Sequence, residues 1–493
     1  MKSSTSSPKR SVKSYFEEIT AFDLFYQLVH LSAMAAAGIP RARVFQLARE
    51  LPCPPSQYFK SIHEVTENLR YNYPDAVRMV GERASSEDIK TFLLRLSDAL
   101  RSGEELPGFL SREAIVQGDH YENDYETKLA SLQKWTDAYT AVSVSAVLIV
   151  IMNMIMTMIY NVGTGMMGIM VMTAALAAFG VAWVMFRTAP EAVAVSLSQG
   201  TKEQRLSRKL FLLLGPASVV VSAALLVVGI PTGWVCMVVG VLIFPIGWVS
   251  SLADAKVSKK DSEISPFLRS LGGTATSRGT TLKEALLSMK KDSFPTLHAD
   301  IRMLVLRLSS FVSPNLCWRK FATETGSKLA EQSMGIFIEA VGLGGDPEKT
   351  GALTSMFAMK TTMLREKRRA VAATFSWLIL ILHVVMAGLT VFLLGILNQF
   401  AVQLNEAMSA LGEGSDAMGA MGLKNMFSFN QPQLDFLAVI TVGMIVLLAL
   451  VNSFAIVAAE GSHLIKMTFY LSILLFASGI LLLIGPSLVH LVM

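Results

Sequence analysis

The sequence predicts an all-α, polytopic helical membrane protein with about seven transmembrane helices and two duplicated cytoplasmic helical bundles. Three observations lead there: seven long apolar runs, the exclusion of charge from them, and two polar blocks that share one order of landmarks. The runs lie near residues 138–161, 165–186, 210–229, 233–253, 374–397, 436–459 and 467–489. At 1.5 Å rise per residue, about 20 apolar residues cover the roughly 30 Å hydrocarbon layer, and each run is that long. None of the seven contains Asp, Glu, Lys or Arg. A mean hydropathy of +0.48 is too high for a soluble protein, while 16% charged residues is too many for a bare membrane bundle, so charge and apolar surface occupy different segments.

Threading the runs with the amino terminus inside places 1–137, 187–209, 254–373 and 460–466 on the cytoplasmic side, with 42 of the 43 Lys and Arg residues. Only Lys424, in the outside loop 398–434, falls on the other face, and the carboxyl terminus ends outside. The positive-inside rule selects this orientation. The short loop 187–209, with Arg187, Lys202, Arg205, Arg208 and Lys209, carries most of that inference, because a long insert follows its membrane anchors whatever its charge. Residues 1–14 are Ser-rich and basic with no apolar core behind them, which reads as a disordered, solvated tail and not as a signal peptide. The loop 398–434, rich in Gly, Met and Ala, reads as a connector of weak helical periodicity.

Residues 15–137 form the first polar block. Phe22, Phe25, Leu28, Val29 and Ser32 keep a helical spacing that ends in the small run Ala35 to Gly38, and Pro40 opens the next helix. Helices are expected over 57–71, from Pro74, and over 87–101; Gly103 then breaks the pattern before Pro107, and a polar helix from about Ser111 feeds the first span. Residues 254–373 repeat the plan. A helix over 264–278 ends at Gly279, a second covers 282–291, a third starts at Pro295, and Gly344-Gly345-Asp346-Pro347 breaks the chain before a helix with Arg365, Lys367, Arg368 and Arg369 enters the fifth span. Gly38 thus lies over Gly279 and Gly103 over Gly345. Two unrelated bundles that both use left-handed glycine caps are the alternative to a duplication.

The blocks differ in charge: 17 basic against 19 acidic residues in 1–137, and 19 against 12 in 254–373. The basic second block suits an anionic leaflet or an acidic partner. Nucleic acid is not an expected partner, since the basic residues alternate with acids and no recognition module accompanies them. None of the 34 glycines precedes a lysine, so no P-loop is present, and His-Glu-x-x-His, Cys-x-x-Cys and Gly-x-Ser-x-Gly are absent. Cys53, Cys236 and Cys317 lie far apart and suggest neither a disulfide framework nor a zinc site. The sequence therefore predicts no enzyme, no cofactor and no metal.

Inside the spans, Asn153, His383 and Asn452 are expected to join helices by hydrogen bonds, with substrate contact or proton traffic as the alternative. Met152, Met154, Met156 and Met158 are two residues apart and so spread around a helix, which favours adaptable packing over a copper(I) site. Pro216 and Pro245 are expected to kink their spans.

Together, the two helical bundles, the Gly-x-x-h-x-x-A/h-h turns at Gly38 and Gly279 (h being apolar) and the breaks at Gly103 and Gly345 resemble the type II secretion F-domain family. That family comprises inner-membrane platform proteins of secretion systems, type IV pili and the archaeal motility filament. Seven spans, with an additional hairpin at 210–253 and an additional last span, resemble its archaeal branch. The resemblance implies a cell-membrane platform, a homodimer or small homo-oligomer, that couples a cytoplasmic hexameric secretion ATPase to the stacking of pilin-like subunits. Under that reading Arg365, Lys367, Arg368, Arg369, Arg205, Arg208 and Lys209 are the candidate ATPase-docking residues, and anchoring to membrane lipid is the competing role. A secondary transporter or a membrane-bound signalling or scaffold protein is the other class open to the sequence.

Overall fold

Among the residues described by the computed structural model, 18–159, 164–190, 201–289, 293–310, 312–410 and 431–492, every regular element is a helix. The expected tail 1–14, the central part of the outside loop with Lys424, and the end of the helix expected to reach Lys291 lie outside the described residues. The helices are α1 (Ala21–Ala36), α2 (Arg41–Glu50), α3 (Ser56–Asn68), α4 (Tyr73–Glu82), α5 (Glu87–Ser102), α6 (Leu106–Ile159), α7 (Thr164–Thr188) and α8 (Lys202–Val227). There follow α9 (Thr232–Arg278), α10 (Leu282–Ser288), α11 (His298–Ser309), α12 (Pro314–Glu324), α13 (Lys328–Gly342), α14 (Pro347–Ala410), α15 (Gln431–Glu460), a 3-10 turn (Leu464–Lys466) and α16 (Met467–Val492). Seven of these helices are long and apolar enough to cross a membrane.

The duplication is written in the helix starts. Helices α2, α3, α4, α5 and α6 begin at 41, 56, 73, 87 and 106, and α10, α11, α12, α13 and α14 begin 241 residues later, to within one residue. The counterpart of α1 is the last part of α9, which ends at Arg278 as α1 ends before Gly38. Gly38, Gly103, Gly279 and Gly344 have positive φ of 72°, 76°, 59° and 99°, a conformation that costs glycine least. The counterpart of Gly103 is therefore Gly344 and not Gly345. Gly345 serves a different purpose, since a Cβ there would lie 2.8 Å from Ala340 O and 3.3 Å from the Ala37 Cβ, so its lack of a side chain lets the two copies approach.

Contacts divide the chain into two compact units, Met1–Tyr125 with Lys260–Thr362 and Glu126–Lys259 with Met363–Met493. The boundary falls within α6, α9 and α14, where hydropathy places it at 137/138, 253/254 and 373/374. Both polar blocks thus contribute to one unit instead of two separate bundles. Its core joins the copies: Phe22, Phe25 and Tyr26 of α1 surround the buried Phe357 of α14 at ring separations of 5.8, 5.2 and 5.8 Å. His30 Nε2 lies 3.1 Å from Glu339 Oε2 of α13. Lys360 Nζ donates to Asp119 Oδ1 at 2.5 Å and to Glu122 Oε2 at 2.9 Å. Asp119 and Lys360 are themselves 241 positions apart, so they are equivalent residues of the two copies, a meeting that an internal two-fold relation produces. Local signals fix the helix starts. Thr20 and Asp23 form a capping box on α1, Thr281 and Glu284 do so on α10, and the Glu263 carboxylate accepts from Thr296 N and Leu297 N beside the start of α11.

The second unit is the membrane bundle. Ala174, Ala178 and Ala182 make one small-residue row on α7, which packs on α15 with Val451, Ala455 and Ala458 in the same core. Helix α9 meets α16 along another row, one not expected from the sequence. Gly233, Gly240 and Gly247 recur every seven residues; a Cβ would lie 2.8 Å from Leu483 Cγ at the first, 3.0 Å from Ser472 O at the second, and inside the Phe469 backbone at the third. The next heptad position is Asp254, which pairs with Lys466 beside the start of α16 at 3.2 Å. Three sequence expectations are corrected here. The helix expected over 264–278 is continuous with the fourth span as α9, the helix into the first span begins at Leu106 and not near Ser111, and α14 runs on to Ala410 through the start of the expected outside loop. Pro216 and Pro245 are held within unbroken α8 and α9. Helix α8 leaves most of its apolar surface uncovered within the chain, Val227 being 88% exposed.

Candidate functional site

Two groups of polar residues in the second unit follow from the expectations: a basic cluster next to the spans and a hydrogen-bonded network within them. Helix α8 positions the first part of the cluster. Its start is fixed by a capping box, Thr201 N donating to Gln204 Oε1 at 2.8 Å and Gln204 N to Thr201 Oγ1 at 3.4 Å. The following turns present Arg205, Arg208 and Lys209, all exposed. On α14, Arg365 and Arg369 are half-buried, and Lys367 pairs with Glu126 of α6. Glu126 and Lys367 also lie 241 positions apart, the same relation as Asp119 and Lys360.

Arg368 is placed differently from its neighbours. It is 3% exposed, and its guanidinium donates from Nε to Ala459 O at 2.9 Å, from Nη2 to Ala458 O at 2.9 Å, and from Nη1 to Pro190 O. Carbonyls in the last turn of a helix have no partner within it and carry the negative end of the helix dipole, so a cation is stabilised there. Arg368 ties α14 to the ends of α15 and α7. Gly461, at φ 69°, is needed for the fit, because a Cβ there would overlap the guanidinium. A docking role for Arg368 at a free surface is inconsistent with this burial. Next to it, Lys466 is held by Asp254 at 3.2 Å and Glu460 at 2.8 Å, and Tyr470 Oη donates to Glu460.

Inside the bundle the structure brings Asn452 and His383 together and adds two residues not expected from the sequence. Tyr139 Oη of α6 donates to Asn452 Oδ1 of α15 at 2.6 Å. Asn452 Nδ2 lies 3.1 Å from His383 Nδ1 of α14, and His383 Nε2 lies 3.0 Å from Ser478 Oγ of α16. An Asn oxygen accepts and its nitrogen donates, so the direction of the chain assigns Nδ1 as acceptor and places the proton on Nε2; His383 is thereby a neutral imidazole. One network holds four helices. Tyr139 and Ser478 gave little signal, since Tyr139 stands among Thr136, Asp137 and Thr140 at the polar edge of its span and Ser478 in an apolar run, where a hydroxyl looks like an ordinary packing residue. Asn153 is buried on α6 and engaged with neighbours, apart from this network.

The arrangement positions helices; no group of three or more His, Cys, Asp or Glu side chains that could hold a metal converges among the described residues. Cys53 is half-buried with Sγ 2.8 Å from Gln27 Oε1, and burial pushes its thiol up to about 12.

Comparison with known proteins agrees with the resemblance read from the sequence. Residues 28–154 match the family model described as type II secretion system (T2SS), protein F. That segment runs from α1 into the apolar half of α6, which is the first of the two copies. The chain is 24% identical over 327 residues to flagella accessory protein J of Methanocaldococcus jannaschii, covering 63% of this chain and 57% of that protein. It is 22% identical over 326 residues to flagella accessory protein J of Methanococcus voltae, covering 63% and 58%. The chain thus spans less than two thirds of the length of these curated relatives. No solved structure matches it.

Proposed function

We propose that this protein, an F-domain membrane protein of the platform kind, is the cell-membrane platform of a type IV-pilus-like or archaellum-like filament assembly machine. In this reading it couples a cytoplasmic secretion ATPase to the insertion of pilin-like subunits, acting by position and not by catalysis. The observation that carries the proposal is the continuity of α6, α9 and α14, each of which contributes residues to both compact units without a break. A displacement of the duplicated, polar unit would pass along three backbones into the membrane bundle. The amino terminus and the duplicated unit are cytoplasmic in this reading, which the distribution of Lys and Arg supports.

The ATPase docks on Arg205, Arg208 and Lys209 of α8, with Arg365, Lys367 and Arg369 as flanking charges. The exposed residues come first because a half-buried or paired cation has less to offer a partner. Membrane lipid competes for the same charges. Pull-down of the cognate secretion ATPase, in detergent without lipid, separates the two: the Arg205→Glu/Arg208→Glu/Lys209→Glu variant is expected to retain under about a tenth of the wild-type capture, and undiminished capture refutes docking there. The platform role itself is tested in cells lacking the protein, which are expected to make pilin-like subunits but no filament. Filaments on such cells would overturn the proposal.

A further inference from the structure

Helices α11 and α12 form a hairpin whose inner faces belong to the core and whose outer face is open. Ile301, Leu304 and Leu308 of α11 and Trp318 and Phe321 of α12 are buried. Arg307 of α11 donates twice to Glu324 of α12, at 2.6 and 2.8 Å, which fixes the two helices against each other. With the inner stripes so placed, Met303 and Leu306, three apart on α11, and Leu316 in the first turn of α12 face outward, each between 46% and 57% exposed. Arg302, Arg319 and Lys320 flank them, exposed and without an ion pair among the described residues. Scattered exposed apolar residues are ordinary, but a group rimmed by one sign of charge marks a docking surface. The first copy shows that the fold does not require it. Buried Phe59 and Ile62 of α3 correspond to Ile301 and Leu304, and buried Ala76 and Val77 of α4 to Cys317 and Trp318, which puts Ser61, Glu64 and Asp75 at the places of Met303, Leu306 and Leu316. Asp75 is paired there with Arg101 at 3.0 Å, and Arg78, the counterpart of Arg319, with Glu82 at 2.9 Å.

We infer that the outer face of α11 and α12 docks an acidic amphipathic helix of a soluble partner. Its apolar stripe lies on Met303, Leu306 and Leu316, and carboxylates beside that stripe face Arg302, Arg319 and Lys320. The apolar contact supplies affinity, and the surrounding cations supply orientation and select acid over base. Lipid is out of reach as the occupant. In the first copy the turn between α3 and α4 is tied to the end of α5, Ser97 Oγ donating to Pro74 O at 2.8 Å. The repeat sets the turn between α11 and α12 at the end of α13, where α14 begins, and about 40 Å of helix separates Pro347 at that point from the apolar run that starts at residue 374. The surface shares no residue with the charges on α8, and the inference does not rest on the ATPase docking there.

The probe is a fluorescein-labelled synthetic helix of about 18 residues, with Leu at i, i+3, i+4 and i+7 and Glu on both sides of that stripe. It is titrated against the full chain in nanodiscs of zwitterionic lipid and read by fluorescence anisotropy. Saturable binding beyond that to empty nanodiscs is expected. Arg302→Glu/Arg319→Glu/Lys320→Glu is expected to weaken it about tenfold or more, and Leu306→Ser/Leu316→Ser to do so independently. All these positions are exposed, so both variants are expected to melt as the wild type does. Arg205→Glu/Arg208→Glu/Lys209→Glu is expected to bind the helix unchanged, which separates a failure here from a failure of docking on α8. No binding beyond the empty nanodiscs, equal binding of the same helix with Lys in place of Glu, or undiminished binding by either patch variant overturns the inference. So does a chain that is dimeric by light scattering in detergent and monomeric only as Leu306→Ser/Leu316→Ser, since a second copy is then the occupant.

Discussion

Arg365, Lys367, Arg368 and Arg369 are alike in charge, yet α14 turns by about 100° per residue and points them in different directions. Arg368 alone is buried and saturated by carbonyls, so Arg368→Met leaves three acceptors unmet and is expected to destabilise the bundle by on the order of 3 kcal/mol, seen as a lowered melting temperature in detergent. The same change at Arg369 is expected to move that temperature little. Gly461→Ala, which forces a side chain into the left-handed region against the guanidinium, is expected to reproduce much of the Arg368 loss. Burial also sets the chemistry of Cys53. With its thiol raised to about 12, alkylation by iodoacetamide at pH 8 is expected to be roughly a hundredfold slower or more than in the unfolded chain, as measured by mass spectrometry. The sequence displayed these side chains but not their environment: a run of basic residues reads as a solvated face, and only the carbonyls of α15 and Pro190, far away in the chain, reveal one of them as a tie.

Helix ends proved readable because glycine and proline write them. The turns at Gly38, Gly103 and Gly279 lie where the spacing of apolar residues stops, and the left-handed backbone there gives the reason. The ends of membrane spans are a different property, set by charge, and the two part company at Asp254. The stretch Ala253 to Lys260 loses its hydropathy but contains neither Gly nor Pro, so the helix continues while the lipid-facing part ends. The glycine row on α9 was visible as Gly233, Gly240 and Gly247, seven apart, yet a period of seven in glycine is not distinguishable from chance until α16 lies against it. That contact makes a sharp expectation. Gly247→Val drives a side chain into the Phe469 backbone and is expected to abolish monodisperse protein in size-exclusion chromatography, whereas Gly215→Val on α8, where nothing lies within 4 Å, is expected to elute as wild type.

The repeat was legible as an order of landmarks; that the two copies share one core was not. Phe22, Phe25 and Tyr26 look like the apolar stripe of any amphipathic helix, and nothing in their spacing names Phe357 as their partner. The consequence is that neither copy is a domain by itself. Residues 18–125 expressed alone are expected to be helical but non-cooperative in thermal melts, with dye-accessible apolar surface, and co-expression with 260–362 is expected to restore a cooperative transition. The shared core also imposes a parity on the chain. Halves that must meet on one side of a bilayer require an even count of crossings between them, and α6, α7, α8 and α9 make four. Insertions or deletions in that stretch preserve the junction only in pairs, which the hairpin at 210–253 obeys, while the crossings after the second copy are free to be odd and, among the described residues, number three.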